Sequence, residues 1–295
     1  MLSSNLLKEL EQGVTRSING GRLEKESDNI LKWRPYYHGS ISIPDSLGSW
    51  QLFTPTSNSG CVYFNISQNK DISGNVIIAN TNYDVFATSS GDTFYLTMVP
   101  WSSINERGFL TTTRGGVVTY AGARNQNDRY LGAIRTTSSG TFQDSETQRF
   151  VCNVTNRIQK IVKTYNSSSS TWTTTTDSVW REFWNGTNQV RGEFIYLWSN
   201  DLLYGVNQTP SQTDFAAISA CYYSLSLNSA GNPSISLYAR QDGSQSYVPS
   251  ERAGVFLGTP ILGYNYITQV VATLTARTLN AYSGDRGGAY LVVYI

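Results

Sequence analysis

The stretch DRYLGAIRTTSSGTFQDSETQRFVCNV, residues 128–154, contains the pattern that decides the fold of this chain. Its first part predicts a strand with Tyr130, Gly132, Ile134 and Thr136 on one face and Leu131, Ala133 and Arg135 on the other. Residues 138–147 are small and polar and predict a loop, and residues 149–155 return to β-type residues. The stretch therefore predicts strand, loop and strand, with the loop as a hinge between two all-β modules.

The same kind of pattern extends in both directions from this stretch. Short segments rich in aromatic and β-branched residues recur at spacings of roughly eight to twelve residues, as in a sandwich or barrel. The strands predicted up to the hinge are Trp50–Phe53, Gly60–Ile66, Gly74–Ala79, Tyr83–Ala87, Thr93–Val99, Gly108–Thr112, Gly116–Tyr120 and Tyr130–Thr136. The strands predicted after it are Phe150–Thr155, Gln159–Tyr165, Val179–Trp184, Glu193–Trp198, Ala217–Leu227, Ser234–Ala239, Gly254–Leu257, Tyr266–Thr275 and Ala289–Ile295. We expect an all-β protein with two antiparallel β-sandwich or jelly-roll-like domains, residues 21–147 and residues 148–295.

Residues 1–20 differ from the rest, because their apolar residues have the spacing of a helix. Leu6, Leu7 and Leu10 would share one side of a short helix that the following glycines would end. A helix of this length is marginal alone, so its leucines need a partner. We expect residues 1–20 to form an N-terminal helical arm that docks the protein through Leu6, Leu7 and Leu10.

The composition argues against several classes of protein. The chain has 295 residues, a formal net charge of +1 and 15% charged residues, without a stripe of Lys or Arg, so we expect no nucleic-acid partner. No apolar run approaches the roughly 20 residues that span a bilayer. Charged residues interrupt the first leucines, which argues against a signal peptide. We therefore expect neither membrane insertion nor secretion.

Residues that could carry out catalysis or bind a metal are sparse. The single histidine, His38, has no other metal ligand and no nucleophile motif beside it, so a loop residue is the simpler interpretation. The three cysteines are widely spaced and are expected to be buried thiols. Two carboxylate pairs, Asp144 with Glu146 and Glu182 with Glu193, could serve a glycoside hydrolase. On balance we expect no catalytic residue, no metal and no cofactor.

An aromatic cluster in the second predicted domain is the candidate ligand contact. Aromatic faces stack on sugars, and Trp172, Trp180 and Trp184 lie close together in the sequence. Trp172 belongs to a Ser/Thr-rich run and is the best candidate for a solvent-facing contact with a glycan or host surface. The same residues are also typical of a β-sandwich core or a subunit interface. Both interpretations are open at this point.

The sequence ends on AYLVVYI, residues 289–295. A strand this apolar needs cover on at least one face. It is expected to run through the middle of a sheet or to pack against symmetry mates. In the second case Leu291, Val293 and Ile295 would form the subunit interface.

The stretch quoted first also resembles a signature of virion proteins from tailed bacteriophages, those described as tail, neck or head fibres. The signature reads YLG-(T/A)-(I/F)-R-T-T, then D-S, then (K/R)-R-F-(V/L), and residues 130–137, 144–145 and 149–151 match it. Weaker matches lie upstream, at Gly21-Arg22-Leu23, Tyr83-Asp84-Val85-Phe86 and Val99-Pro100-Trp101. The resemblance ends near Lys163, and the Ser/Thr-rich run at 167–176 departs from it.

The resemblance implies a non-enzymatic structural protein of the virion. Such proteins form homotrimeric fibres or spikes, attach to the particle through their N-terminal part, and can contact the host surface. The implied partners are copies of the chain itself, other virion proteins and a host-surface glycan. A carbohydrate-binding lectin is the alternative, and a polysaccharide depolymerase is a further one.

Overall fold

The computed structural model of this protein shows an all-β chain. It describes residues 18–45, 49–55, 57, 59–108, 111–114, 117–120, 128–165, 179–182, 191–198, 201, 203–208, 221–231, 239–241, 255–273 and 288–295. Across these ranges the chain forms strands, turns and loops but no helix, which confirms the predicted class. None of these residues belongs to a helix that could cross a membrane. The predicted helical arm falls on residues 1–17 for the most part, and these lie outside the described ranges.

The strands follow one another along the described chain. In order they are β1 (Gly21–Ser27), β2 (Ile30–Pro35), β3 (Ile41–Pro44), β4 (Trp50–Phe53), β5 (Val62–Asn65), β6 (Asn82–Ser90), β7 (Thr93–Pro100), β8 (Thr111–Arg114), β9 (Val117–Tyr120), β10 (Arg129–Arg135), β11 (Gln148–Arg149), β12 (Val151–Asn153), β13 (Gln159–Tyr165), β14 (Arg181–Glu182), β15 (Arg191–Tyr196), β16 (Leu203–Gln208), β17 (Cys221–Leu227), β18 (Ala239–Gln241), β19 (Val255–Gly258), β20 (Gly263–Thr273) and β21 (Gly288–Tyr294).

These strands pair into five sheets. The first sheet has the order β1-β2-β5, and β3 and β4 form a separate hairpin. The central sheet has the order β7-β6-β10-β9-β8, and β12 also pairs with β10. The fourth sheet has the order β11-β15-β20-β17-β18 with β14 on β20, and the last has the order β13-β21-β16-β19. Among the described strands only β11 and β15 run parallel, so the antiparallel prediction is confirmed.

Two large apolar clusters fill the space between these sheets. The first core cluster lies in the first half of the chain and includes Leu23 and Phe94. In the second core cluster β15 and β21 contribute the most residues, with Phe194 of β15 among its members. Each cluster also receives residues from the other half: Val151 joins the first, and Trp101 and Ala133 join the second. The two halves therefore pack through shared side chains, and the predicted domain boundary after residue 147 stays a prediction.

A β-bulge in β10 changes the predicted faces of the stretch that decides the fold. The register of β10 against β6 shifts between Tyr130 and Gly132, so Leu131 is an extra residue on its strand. Leu131 and Ile134 therefore both pack in the first core cluster, and the predicted strict alternation is wrong. A glycine is required at the bulge because a Cβ on Gly132 would overlap the carbonyl oxygen of Cys152 on β12.

Several strand predictions need correction. The strands β1, β2 and β3 were not predicted, because charged residues obscure the pattern in β1 and β2, and β3 has only four residues and ends on a proline. The predicted strand Gly74–Ala79 is a loop, in which Val76 and Ile78 are 71% and 56% exposed. The Asp71 carboxylate accepts hydrogen bonds from the N–H groups of Ser73, just before this segment, and of Asn75 within it, which favours a turn over a strand.

The loop predicted as a hinge is bonded to both halves of the chain. Phe142 is buried in the first core cluster, and its N–H donates a 2.7 Å hydrogen bond to the carbonyl oxygen of Asp28. Towards the other half, the N–H of Lys163 donates to the carbonyl oxygen of Glu146 at 2.6 Å. Backbone hydrogen bonds therefore hold this loop in place on both sides.

Candidate functional site

Most of the predicted docking and glycan contacts lie outside the described part of the chain. They are Leu6, Leu7, Leu10, Trp172 and Trp184. Trp180 is described, and it is half-buried immediately before β14. Its role, either as a glycan contact or as a packing residue, stays a prediction.

The C-terminal strand lies in the interior of the chain. It pairs with β13 on one side and with β16 on the other. Leu291, Val293 and Ile295 are 0% exposed and pack in the second core cluster. Two placements were predicted for this strand, and in the structure it lies in the middle of a sheet. The three side chains are core residues of a single chain, which corrects the prediction that they form a subunit interface.

The carboxylates considered for catalysis are engaged in other contacts. His38 is exposed after β2. Glu182 is 3% exposed and binds the guanidinium of Arg191 through both oxygens, at 2.7 and 2.9 Å. Glu193 accepts a hydrogen bond from the Tyr264 hydroxyl. No group of three or more His, Cys, Asp or Glu among the described residues could hold a metal ion.

The residues that carry the resemblance come from well-separated segments, yet they meet between the two core clusters. Tyr130 contacts Asp84 and, through Arg107, Trp101. We call the residues that carry the resemblance the joint. They are Leu23, Asp84, Trp101, Tyr130, Arg135, Asp144, Arg149 and Phe150. The pairing of β10 with β12 brings its parts together.

At one end of the joint, Asp84 is fully buried on β6. Its carboxylate accepts a 2.6 Å hydrogen bond from the Tyr130 hydroxyl and lies 3.5 Å from Nε of Arg107. The Arg107 guanidinium also packs over the rings of Tyr130 and Trp101, at 5.0 and 5.4 Å from their centroids. Burial raises the pKa of Asp84 to about 6, although Arg107 and Tyr130 both oppose the rise.

In the middle of the joint, Arg135 links the central sheet to β20. Its guanidinium donates a 3.0 Å hydrogen bond to Oδ1 of Asn82 on β6. It also packs over Tyr264, 4.4 Å from the ring centroid, and over Phe150 at 5.9 Å. Because Tyr264 belongs to β20, this one side chain contacts both halves of the protein.

At the other end of the joint, Asp144 pairs with two cations. It accepts a hydrogen bond from Nζ of Lys160 on β13 and lies 3.6 Å from Nη1 of Arg149. Nearby, β1 is tied to β12, because Oδ1 of Asn153 accepts from the N–H of Leu23 at 2.6 Å and its Nδ2 donates to the Leu23 carbonyl at 3.2 Å. The joint thus consists of hydrogen bonds, ion pairs and cation–ring contacts between strands in the middle of the protein.

A separate cleft of about 350 Å³ lies on the first half of the chain. Its wall comes from β5, the loop that follows β5, β6 and β7, and from the residue before β10. We call it the tyrosine cleft, and the residues that give it its chemistry are Tyr63, Asp71, Thr88, Tyr95, Thr97 and Asp128.

Strand alternation places the two tyrosines of the cleft. Tyr63 precedes the buried Phe64 on β5, and Tyr95 stands between the buried Phe94 and Leu96 on β7. The tyrosines are 45% and 46% exposed. Both strands are the last in their sheets, so no further described strand pairs with them on the outer side.

Asp128 provides the buried charge of the tyrosine cleft. It is 2% exposed, and its carboxylate accepts a hydrogen bond from the Thr88 hydroxyl, which is also 2.9 Å from the Thr97 hydroxyl. Burial raises the pKa of Asp128 to about 6, and the hydrogen bond from Thr88 opposes the rise. Within the described part of the chain no cation forms an ion pair with this carboxylate.

Asp71 has a different role in the same cleft. Its Oδ1 accepts hydrogen bonds from the N–H groups of Ser73 and Asn75, both at 2.8 Å. Its Oδ2 lies 3.4 Å from Nδ2 of Asn75. The carboxylate is therefore used to shape the loop, and Asp128 is the cleft carboxylate that retains accepting capacity.

The sequence alone does not reveal the tyrosine cleft. It predicts strands that include Tyr63 and Tyr95 and places Tyr95 on the face opposite to Phe94 and Leu96. The available signal was a pair of outward tyrosines on predicted strands, but no local pattern tells which strand edges meet in space. Asp128 stands at the start of the stretch that decides the fold, where it reads as a turn residue.

Comparison with known protein families gives no family that matches this chain, and comparison with curated proteins gives no match either. A function therefore has to be inferred from the joint, the tyrosine cleft and the resemblance described above.

Proposed function

We propose that the protein is a non-enzymatic structural component of a tailed-bacteriophage virion, a homotrimeric fibre or spike with two β-sandwich or jelly-roll-like domains. Its N-terminal arm, with Leu6, Leu7 and Leu10, attaches it to the particle. Its other surfaces contact further virion proteins or the host. In this role the protein acts by assembly and adhesion, and its place is the virion.

The joint is the observation that carries this proposal. Residues 130–151 are close in sequence and would lie near one another in any case, but a chance match at the distant upstream positions would leave Asp84 and Trp101 apart from them. Here Tyr130 binds Asp84, Arg135 packs on Phe150, and Asp144 pairs with Arg149. Residues that hold a fold together in this way are those that proteins of the same architecture would need in common. The joint therefore favours a shared architecture with the fibre proteins that carry the signature.

A carbohydrate-binding role is the second candidate, and the tyrosine cleft favours it. A depolymerase is less favoured, because Glu182 is bound by Arg191 and Glu193 by Tyr264. A pair of catalytic carboxyl groups needs one member free to protonate the leaving oxygen.

Two measurements test the virion proposal. Sedimentation of the purified full chain should give a mass of about three times 32.7 kDa. Antibodies raised against the protein should label phage particles from the producing culture in electron micrographs, with pre-immune serum as the control. A monomer at micromolar concentration would contradict the trimer. Particles that remain unlabelled, although the protein is present in the lysate, would contradict the virion location.

A further inference from the structure

We propose that the tyrosine cleft binds one pyranose residue of a glycan, with the sugar ring against Tyr63 and Tyr95 and its hydroxyl groups bonded to Asp128. The proposal goes beyond the structural role above and does not depend on it. It would hold equally for a protein that is not part of a virion.

The size of the cleft is the first argument. Small-molecule sites in proteins usually have volumes of about 300–1,000 Å³. At about 350 Å³ the tyrosine cleft is at the small end of this range. A single sugar ring suits it better than an extended chain, so further sugar residues of the glycan would lie outside the cleft.

The exposed rings are the second argument. Tyr63 and Tyr95 offer an apolar face together with a polar tip, as a carbohydrate does with its C–H face and its hydroxyl groups. Both residues lie on β-strands, and a tyrosine has only two side-chain torsions to fix when a ligand binds. The entropy lost on binding is therefore small.

The buried carboxylate is the third argument. An ionised carboxylate offers about four acceptor positions and no donor. Of the described residues only Thr88 donates to Asp128, so most of its accepting capacity is available to a ligand. A sugar presents adjacent hydroxyl groups, each of which is a donor. Two such groups would bond the two oxygens of Asp128, and Thr97 would add a further hydroxyl from the wall of the cleft.

Other ligand classes fit the cleft less well. An anion would be repelled by Asp71 and Asp128, which both line it. A metal ion needs several ligands, and the described residues of the cleft offer no group that could hold one. A cationic ligand would be drawn to Asp128 but opposed by Lys70, which lies on the same wall. A neutral ligand with many hydroxyl groups meets none of these objections.

Saturation-transfer NMR on the full-length protein tests the proposal. The probes are the methyl pyranosides of glucose, galactose, mannose, rhamnose and N-acetylglucosamine, each at millimolar concentration. We expect at least one of them to receive saturation from the protein. Tyr95→Ala and Asp128→Asn should each lower its affinity at least about tenfold, since each removes a stacking face or a charged hydrogen-bond acceptor. The matched control is Tyr37→Ala, because Tyr37 is 75% exposed and lies outside the cleft.

The outcomes separate clearly. Saturation of a pyranoside that is lost in Tyr95→Ala and Asp128→Asn but kept in Tyr37→Ala supports the site. Tyr95→Phe should keep most of the affinity, since it keeps the ring face. Absence of saturation for all five probes, or saturation that the cleft variants leave unchanged, overturns it. Circular dichroism of each variant shows whether it is folded. None of these measurements depends on the particle-labelling experiment, so the two proposals can fail independently.

Discussion

At the scale of single residues, the two buried aspartates of the first half show how a charge can be kept inside a β-protein. Burial raises the pKa of both Asp84 and Asp128 to about 6. For Asp84, Arg107 and Tyr130 partly offset the cost of burying the charge, as expected of a residue that stabilises the fold. Asp128 has a hydroxyl partner and no described ion pair. A buried carboxylate without a cation beside it lowers the stability of the fold, and groups of this kind are typical of binding sites.

Asp128→Asn should stabilise the protein more in neutral and alkaline solution than in acid. The carboxyl has a pKa of about 6 in the folded protein, against 3.8 for an unperturbed aspartate. A raised pKa means that its contribution to stability is present at low pH and is lost as the pH rises through 6. Asparagine can still accept from Thr88 and carries no charge at any pH. The gain in unfolding free energy over the wild type should therefore fall by about 1 kcal/mol between about pH 8 and about pH 5.

Urea unfolding of both proteins at the two pH values measures this difference. Asp45→Asn serves as the control, because Asp45 lies in a surface turn between β3 and β4, where its carboxylate accepts from the N–H of Ser49. An equal effect of Asp128→Asn at both pH values would mean that the buried charge is not what the substitution relieves.

The sequence indicates which residues are structurally important better than it indicates which residues they contact. The signature includes Tyr130, Arg135 and Asp144, and in the structure each of them contacts a residue outside the signature. Their partners Arg107, Tyr264 and Lys160 could not be found from sequence, because each contact depends on how distant strands pair. The tyrosine cleft was missed for the same reason.

At the scale of strands, prediction succeeds for short segments rich in aromatic and β-branched residues. Trp50–Phe53 and Gln159–Tyr165 were predicted with the bounds that β4 and β13 have in the structure. The strand β10 was predicted, but not its bulge, because a bulge leaves no mark on composition. The strand β1 was missed because its sequence, GRLEKES, has only one large apolar residue, and pairing with β2 rather than burial extends it to Ser27.

Two neighbouring residues of β21 give a test at this scale, since they point to opposite sides of one strand. Val293 is 0% exposed and Tyr294 is 54% exposed. Val293→Asp should unfold the protein, because it would bury a charge without a partner in the second core cluster. Tyr294→Asp should fold normally, because its side chain can stay in water.

Far-UV circular dichroism and gel filtration of the two variants measure the outcome. A soluble, cooperatively folding Val293→Asp protein would contradict the interior position of β21. Aggregation of Tyr294→Asp, by contrast, would show that the exposed side of this strand also needs cover, as it would in a trimer.

At the scale of the whole molecule, the joint couples the two halves. Arg135 contacts Asn82 in the first half and Tyr264 in the second, and it is 8% exposed. Packing and hydrogen bonds of this kind make two structural units unfold together. We therefore expect one unfolding transition for the wild-type protein in calorimetry.

Arg135→Ala should split this transition into two. The substitution removes the contact to β20 and leaves Oδ1 of Asn82 without its donor, so the less stable half should unfold at a lower temperature than the other. Arg34→Ala is the control, since Arg34 is half exposed in a surface ion pair with Glu24 and such pairs contribute little. A single transition in Arg135→Ala, merely shifted, would mean that the other contacts of the joint suffice for coupling.

A deletion that tests the predicted N-terminal arm must end before residue 18. The carbonyl oxygen of Ile18 accepts from the N–H of Ser42 at 2.9 Å and from the Arg129 guanidinium at 2.6 Å. Gly20 donates to the carbonyl of Ser40 at 2.9 Å. Residues 18–20, which the predicted arm included, thus belong to the body.

Deleting residues 1–17 should leave the melting temperature unchanged and abolish incorporation into particles, if the arm is the docking element. Deleting residues 1–20 is the matched control. It should lower the melting temperature as well, because Arg129 is 3% exposed and would lose the Ile18 carbonyl as an acceptor. Normal incorporation of the shorter deletion would refute docking through Leu6, Leu7 and Leu10. Lowered stability of that deletion would mean instead that the leucines pack on the body, so a thermal melt and a particle assay of the same two proteins distinguish a docking arm from a missing piece of the core.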